Sequence, residues 1–520
     1  MSDAGAPLGF WNLAQKSPDA FALAAPDGRD WTRGELLAEA NRIAHGLRAL
    51  GLERGDCVAV VLPNCAEFLA VNLAITQIGL YMTPINNHLT GPEIAYIVGD
   101  SGAKVFIGAE QFGEACREAA AESGLSGDHL FSVGAVPGFR DFSELGAGQP
   151  ETLPEDRSSG QVMNYTSGTT GRPKGVRRTL ADLSPDLVAT LTTGFLGMFD
   201  LQPEDDNVHI CGSPLYHTAV LVFASASFHM GHGVVLMDKW TPEEMLRLIA
   251  KYRVTSSHMV PTQFNRLLSL PEDVRAKYDV SSLRAMVHAA APCPIETKRR
   301  MFDWWGEAIY EYYAATEGGG TLCKPADWLA HPGTVGKAWP NAEVKIFDDE
   351  GNELGPNQIG TVYMLLGQAS FEYKDDAKKT RDNRIGNYFT VGDVGELNEE
   401  GYLFLRDRKN DMIISGGANL YPAEIEAEMI QCPLIGDVAV FGIPNDDWGE
   451  EVKAVVEVAE GVDATQETRD RIYEFLKPRL AKMKTPRSID FIEEMPRDPN
   501  GKLYKRKLRD PYWEGRDRQI

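Results

Sequence analysis

The 520-residue sequence is first narrowed by what it does without. Its seven cysteines include no C-x-x-C pair, and a chain this long has no need of disulfide staples, so a reduced, cytoplasmic setting is expected. No apolar run reaches the roughly 18 residues of a spanning helix, and no membrane span is expected. The start, Met1-Ser-Asp-Ala-Gly-Ala-Pro7, lacks the basic and then apolar segments of a signal peptide. Positive charge is scarce: 52 Lys and Arg face 75 Asp and Glu, for a net charge of −23. That balance argues against general affinity for nucleic acid or anionic membrane, both polyanions. Without a Gly-x-Ser-x-Gly elbow, a serine hydrolase has no nucleophile. His229 and His232 have no third ligand at zinc spacing. Internal repeats and low-complexity segments are also missing.

What remains is a chain able to build large cores, with 43% hydrophobic and 24% charged residues, and long enough for two or more domains. Cys57–Leu62 reads as a buried strand, with Asn64 capping a helix to about Gly79. A helix from Thr90, a strand at 104–107, and a helix from Thr241 to Tyr252 with Glu244 closing a capping box follow. Strands are expected at 254–260 and 283–288. This alternation predicts an α/β domain with largely parallel sheets. After about Gly333 the texture changes. Strand-like runs at 344–347, 360–366 and 402–405, joined by tight turns, predict a small antiparallel β subdomain. An α+β pattern begins beyond Asp411, with helices at 422–431 and 465–480 and strands at 437–442, 452–458 and 488–492.

Several short constellations carry chemistry. Tyr165-Thr-Ser-Gly-Thr-Thr-Gly-Arg-Pro-Lys-Gly175 offers the hydroxyls of Thr166, Ser167, Thr169 and Thr170, with Gly168 and Gly171 between them. Glycines let successive N–H groups converge on phosphate oxygens, hydroxyls donate further bonds or reach a metal, and Lys174 adds a mobile charge. It is not a Walker A loop, because no Ser or Thr follows the lysine. His288-Ala-Ala-Ala-Pro292 is a small-residue run that permits close backbone approach to a ligand; His288 itself reads as structural. Glu311-Tyr-Tyr-Ala-Ala-Thr-Glu317 places a carboxylate suited to Mg²⁺ beside two tyrosines able to face a purine. Tyr388-Phe-Thr-Val-Gly-Asp393 presents an acid that can accept both ribose hydroxyls. Asp407-Arg-Lys-Asn-Asp411 leads to the double glycine Gly416-Gly417, and Pro499-Asn-Gly-Lys502 offers a lysine on a turn. The other five basic residues in Arg497–Arg509 read as an exposed charged tail.

Taken in this order, the constellations resemble the motif set of the acyl-adenylate-forming superfamily of acyl-CoA synthetases, adenylation domains and luciferases. The resemblance covers essentially the full chain, and Ala314 stands where glycine is usual. It implies an N-terminal adenylation domain over 1–407, a hinge at 408–410 centred on Asn410, and a mobile C-terminal domain over 411–520. It implies ATP or AMP binding by Thr166, Ser167, Gly168, Thr169, Thr170, Gly171, Lys174, Ala289, Ala290, Ala291, Glu311, Tyr312, Tyr313, Ala314, Thr316, Asp393, Arg408 and Lys502. Lys502, Glu317 and Thr166 would be catalytic, with Glu317 and Thr166 holding Mg²⁺. Tyr216, His217, His258 and Gln263 would line the acyl gate and pocket, and Gly416 and Gly417 a CoA tunnel. The implied reaction joins a carboxylic acid to ATP as acyl-AMP and then to CoA as a thioester. The run Ala289–Cys293 and the tail from Lys502 to Trp513 look like bacterial ligases of fatty acids, steroid side-chain acids or bile acids. Transfer to a carrier protein and a non-catalytic nucleotide binder stay open, as does a homodimer.

Overall fold

The computed structural model describes residues 8–166, 174–314, 319–366, 383–497, 501 and 503–514. Two compact units emerge. The first runs to Met259 and includes Leu270–Val287; the second holds Val260–Ser269 and the described residues from His288 onward.

The first unit is built on parallel strands. One sheet has the spatial order 140–141, 130–133, 103–109, 57–60, 81–84, 161–162, every neighbouring pair parallel. A second run orders Ser256–Met259, Val208–Cys211, Gly233–Leu236 and Phe21–Ala24, again parallel, with Asp30–Thr32 as an antiparallel edge. The helix Ala66–Gln77 has almost no polar face, and its residues from Phe68 to Ile75 are buried. A helix apolar all round must lie inside a core. With Arg33–Ala49 and Thr218–Met230 it joins one face of each strand system in a single hydrophobic cluster. The helices Gly91–Ser101 and Gly113–Ser123 cover the other face of the first sheet.

The second unit is largely antiparallel. Ile309–Ala314 pairs with Gly320–Cys323, and that strand with Lys337–Ala338. Among the described residues, six strands between Ala342 and Arg408 form the small β subdomain, around Ile346, Val362, Met364, Phe389 and Leu403. The long hairpin Ile435–Asn445/Gly449–Val458 carries the last sheet, with Ser488–Ile492 added in parallel. Helices Pro422–Met429 and Gln466–Leu476 pack into its core.

Two helix starts differ from expectation. Asn64 does not cap the helix at 66–77, where Cys65 holds that position. Its amide donates to the carbonyls of Ser213 and Met237 at 3.0 and 2.9 Å, and its Oδ1 accepts from Leu215 N–H at 2.8 Å. Three backbone groups of two distant segments outbid one local N–H. At the helix Pro242–Tyr252, Thr241 makes no side-chain cap, and the Glu244 carboxylate pairs with Arg247 at 2.6 Å instead of reaching back. Thr90 behaves as expected, its N–H bonded to Glu93 at 2.8 Å.

Asn64→Ala strands those three buried backbone groups, each worth about 1–3 kcal/mol when left unsatisfied. We expect a loss of about 3 kcal/mol or more in chemical denaturation, whereas Thr241→Ala, with no cap to lose, should leave the midpoint unchanged.

Candidate active site

In the first unit, the expected phosphate loop is framed by an antiparallel ribbon. Asn164–Thr166 pairs with Lys174–Val176, so that Thr166 stands opposite Lys174. Ser167, Gly168, Thr169, Thr170 and Gly171 lie outside the described residues. Within the ribbon the Tyr165 ring packs on Gly175, where a Cβ would come within 2.9 Å of the ring. The Tyr165 hydroxyl donates to Asp100 at 2.6 Å. Burial, reinforced by that carboxylate, pushes the phenol pKa well up and keeps it a donor.

Tyr216 and His217 sit directly before the helix Thr218–Met230, with ring centroids 4.5 Å apart. Two of the three bonds of Asn64 hold the segment just ahead of them, Ser213–Leu215. From that helix Phe223 meets Phe195 at 5.2 Å, Phe199 at 5.4 Å, His209 at 5.9 Å and His258 at 5.1 Å. Burial lowers the pKa of His258 to about 4 and that of His209 to about 3. Both are neutral at physiological pH, so this aromatic hub carries no charge. His229 and His232 are structural: His229 Nδ1 accepts from Phe10 N–H at 3.2 Å, and His232 Nε2 lies 2.7 Å from the Gln202 carbonyl. Among the described residues no cluster of three or more potential metal ligands exists.

The second unit brings three expected nucleotide residues together. Tyr313 donates its hydroxyl to Asp393 at 2.6 Å, and Arg408 Nε lies 3.6 Å from the other oxygen of that carboxylate. The strands Asp393–Leu397 and Leu403–Arg408 cause this, since their register sets Asp393 opposite Arg408. Gly392, at φ +86°, turns the chain into the strand, and its carbonyl accepts from Lys409 N–H at 2.8 Å. Asp393 is mostly shielded while Arg408 reaches into solvent, with side-chain exposures of 13% and 59%. A shielded acid beside an exposed guanidinium suits a polyhydroxy, anionic ligand. Glu311 to Ala314 fall within the strand Ile309–Ala314, and close pairing there requires Gly320, whose Cβ would lie 2.4 Å from the Tyr313 carbonyl. Tyr312 is held protonated by burial. Thr316 and Glu317 lie outside the described residues.

Glu311 faces inward. Its carboxylate accepts the Lys298 ammonium at 2.6 Å, with Lys298 fully buried. Ahead of it, Ala289 is buried and Ala290 exposed at φ +72°, a region alanine disfavours. Ala291 is half-buried. Gln263 uses its Oε1 to accept from Val260 N–H at 3.1 Å and so starts the helix Pro261–Leu268.

Around the expected hinge, Lys409–Asp411 forms a short 3₁₀ turn containing Asn410. Asp407 accepts from Ala423 N–H at 2.8 Å. Gly416 and Gly417, at φ +58° and +81°, form the exposed turn between Ile413–Ser415 and Ala418–Leu420. Lys502 lies outside the described residues, but its neighbour is pinned. Gly501 rests against Thr262, and its carbonyl accepts from Arg497 at 2.6 Å. Arg497 also grips Asp437 through two bonds of 2.5 and 2.8 Å. The tail is therefore not uniformly exposed, as the sequence suggests. Arg497, Lys505 and Arg509 pair with Asp437, Glu426 and Asp411, and among the described basic residues of the tail Arg506 and Lys507 face solvent. Their acidic partners lie 60 or more residues upstream, too far for local pattern to reveal.

Residues 10–368 match the family described as AMP-binding enzyme, and residues 424–502 match the AMP-binding enzyme C-terminal domain. The chain belongs to the AMP-binding enzyme family. It is 33% identical over 511 residues to the long-chain-fatty-acid–CoA ligase FadD13 of Mycobacterium tuberculosis, covering 96% of this chain and 98% of that one. It is 32% identical to the fatty acid–[acyl-carrier-protein] ligase ScoC of Streptomyces coeruleorubidus, covering 98% and 96%. The fold is similar to that of ATP-bound MatB from Rhodopseudomonas palustris, at 30% identity and a TM-score of 0.79 over 97% and 98% of the two chains. This AMP-binding enzyme is an acid–thiol ligase of the acyl-adenylate-forming superfamily.

Sequence reasoning missed Lys298 and gave Asn64 and Arg497 other roles, a helix cap and an exposed tail residue. A signal for Lys298 existed. Ile295, Lys298, Phe302 and Trp305 recur at helical spacing, which puts the lysine on an apolar stripe.

If Asp393 meets the ribose in this AMP-binding enzyme, as expected from the sequence, Asp393→Ala should raise KM for ATP about 10- to 100-fold, the value of one to two charge-assisted bonds. Tyr313→Phe, which leaves the carboxylate but removes its orienting donor, should cost less than Asp393→Ala. Equal effects in steady-state kinetics would show that the tyrosine, not the acid, meets the nucleotide.

Proposed function

We propose that the protein activates a lipophilic carboxylic acid, a medium- or long-chain fatty acid or a steroid side-chain acid, and delivers it to CoA. The observation carrying the adenylation half is the convergence of Tyr313 and Arg408 on Asp393. In the first step a carboxylate oxygen bonds to the α-phosphorus of ATP and pyrophosphate leaves. In the second, the CoA thiolate bonds to the acyl carbon and AMP departs with its electron pair. The anhydride is needed because a free carboxylate has no good leaving group.

In this reading Asp393 accepts the ribose hydroxyls, Arg408 meets the phosphate side, and the backbone at Ala289–Ala291 borders the adenine beside Tyr312. Thr166 and Glu317 would hold Mg²⁺, which shields the triphosphate charge. Lys502 would bridge the carboxylate and the α-phosphate as charge develops. The domains would divide at 1–407 and 411–520, with Asn410 as the pivot and the exposed Gly416–Gly417 turn beside the thiol's path. A reducing, cytoplasmic setting is supported by all seven cysteines being free, five of them buried. No described helix is long and apolar enough to cross a membrane.

The lipophilic acid is favoured by the uncharged hub of Phe195, Phe199, Phe223, His209 and His258, centred on the helix that directly follows Tyr216 and His217. Delivery to a carrier protein instead of CoA is the second reading, favoured by the likeness to ScoC.

Two measurements test this. Lys502→Ala should slow adenylation by about 10²–10³-fold, measured as pyrophosphate exchange, and spare thiol attack on supplied acyl-AMP. Equal loss in both halves would remove Lys502 from its adenylation role. Across straight-chain acids of increasing length, kcat/KM should rise about threefold or more per carbon, since each methylene contributes about 0.8 kcal/mol, until the pocket ends. Acetate or a small dicarboxylate as the best substrate would refute the lipophilic assignment, and acyl-AMP that ignores CoA would favour the carrier protein.

A further inference from the structure

Behind the 289–291 backbone lies a buried charge cluster that the reaction itself does not use. Glu311 takes the Lys298 ammonium at 2.6 Å, and His288 Nε2 lies 3.6 Å from the same oxygen. Lys298 and His288 are fully buried, and Glu311 is 6% exposed. Aromatic rings wall the cluster. Phe264 packs edge-on against His288 at 5.2 Å, and the Lys298 ammonium lies 5.2 Å from the Trp328 ring. Thr297, next to Lys298, donates to Asn265 at 2.9 Å and ties the same helix to Pro261–Leu268.

The cluster's place in the chain gives it meaning. His288 immediately precedes Ala289. Lys298 lies in the first turns of the helix Ile295–Trp305, which follows the loop. Glu311 immediately precedes Tyr312 and Tyr313, and Tyr313 holds Asp393. One carboxylate therefore gathers the entry to the loop, the exit from it and the neighbouring strand. Between entry and exit, Ala290 is held at φ +72°, where a Cβ is disfavoured. Such a residue persists only where its surroundings over-determine it. A buried ion pair is a weak source of stability, because removing both charges together is often neutral. What this pair supplies is fixed geometry at both ends of a strained loop.

We propose that Lys298 and Glu311, with His288, are positioning residues that hold the 289–291 backbone in its nucleotide-receiving conformation. Glu311 then acts from behind the loop and does not touch the nucleotide. This rests on the nucleotide reading given above.

The test uses the full chain and two readouts: thermal unfolding, and the Kd of ATP and of AMP by titration calorimetry. The double variant Lys298→Met/Glu311→Gln removes both charges and leaves no buried ion unpaired. It should unfold at the wild-type temperature and bind both nucleotides about 10- to 100-fold more weakly, the scale of a misplacement near 1 Å. Adding Ala290→Gly should restore part of that affinity, since glycine adopts positive φ without being forced. A purely structural pair would show no such rescue. The proposal is overturned if the folded double variant binds nucleotide as the wild type does, if Ala290→Gly recovers nothing, or if the double variant fails to fold, which would assign the pair to core stability. Absence of nucleotide binding by the wild-type protein would instead defeat the function proposed above.

Discussion

The carboxylate of Asp393 is the constraint on which the candidate site depends. It is shielded enough that its hydrogen bonds are not lost to water, yet it is reached from two directions, by Tyr313 across the subdomain and by Arg408 across a strand pair. The tyrosine belongs to the strand Ile309–Ala314. The arginine opens the turn into the last sheet. Fixing one acid therefore relates three stretches of sequence separated by 80 residues and 15 residues respectively. The β subdomain core of Ile346, Val362, Met364, Phe389 and Leu403 is the scaffold that keeps this acid from moving.

Much of the fold was legible because hydrophobic period is local. The run Cys57–Leu62 and the apolar helix after it told of a buried parallel sheet, and 360–366 and 488–492 are strands to the residue. Helix starts were less legible. Asn64 has every attribute of a cap, but a side chain with two donors and an acceptor goes where three buried backbone groups need it. That demand exists only after the chain has folded. Thr241 shows the converse, since Glu244 prefers a charged neighbour one turn on to the backbone N–H it could reach.

The site was legible where motif order carried it and illegible where charge pairing did. Glu311 looked like a ligand because it opens a motif, and its burial with Lys298 could be suspected only from a lysine on an apolar helical stripe. The basic tail looked solvated for the opposite reason. Asp437, Glu426 and Asp411 neutralise Arg497, Lys505 and Arg509 from positions that no short window of sequence contains.

Arg497 has one further consequence. An isolated bridge pairs Arg497 with Leu503, and the arginine's own side chain closes on the Gly501 carbonyl. The same guanidinium holds Asp437, on the strand Ile435–Asn445. One side chain thus couples Gly501 to the long hairpin, and a change at either anchor is felt at the other: loss of the Asp437 carboxylate would release the guanidinium that the Gly501 carbonyl relies on.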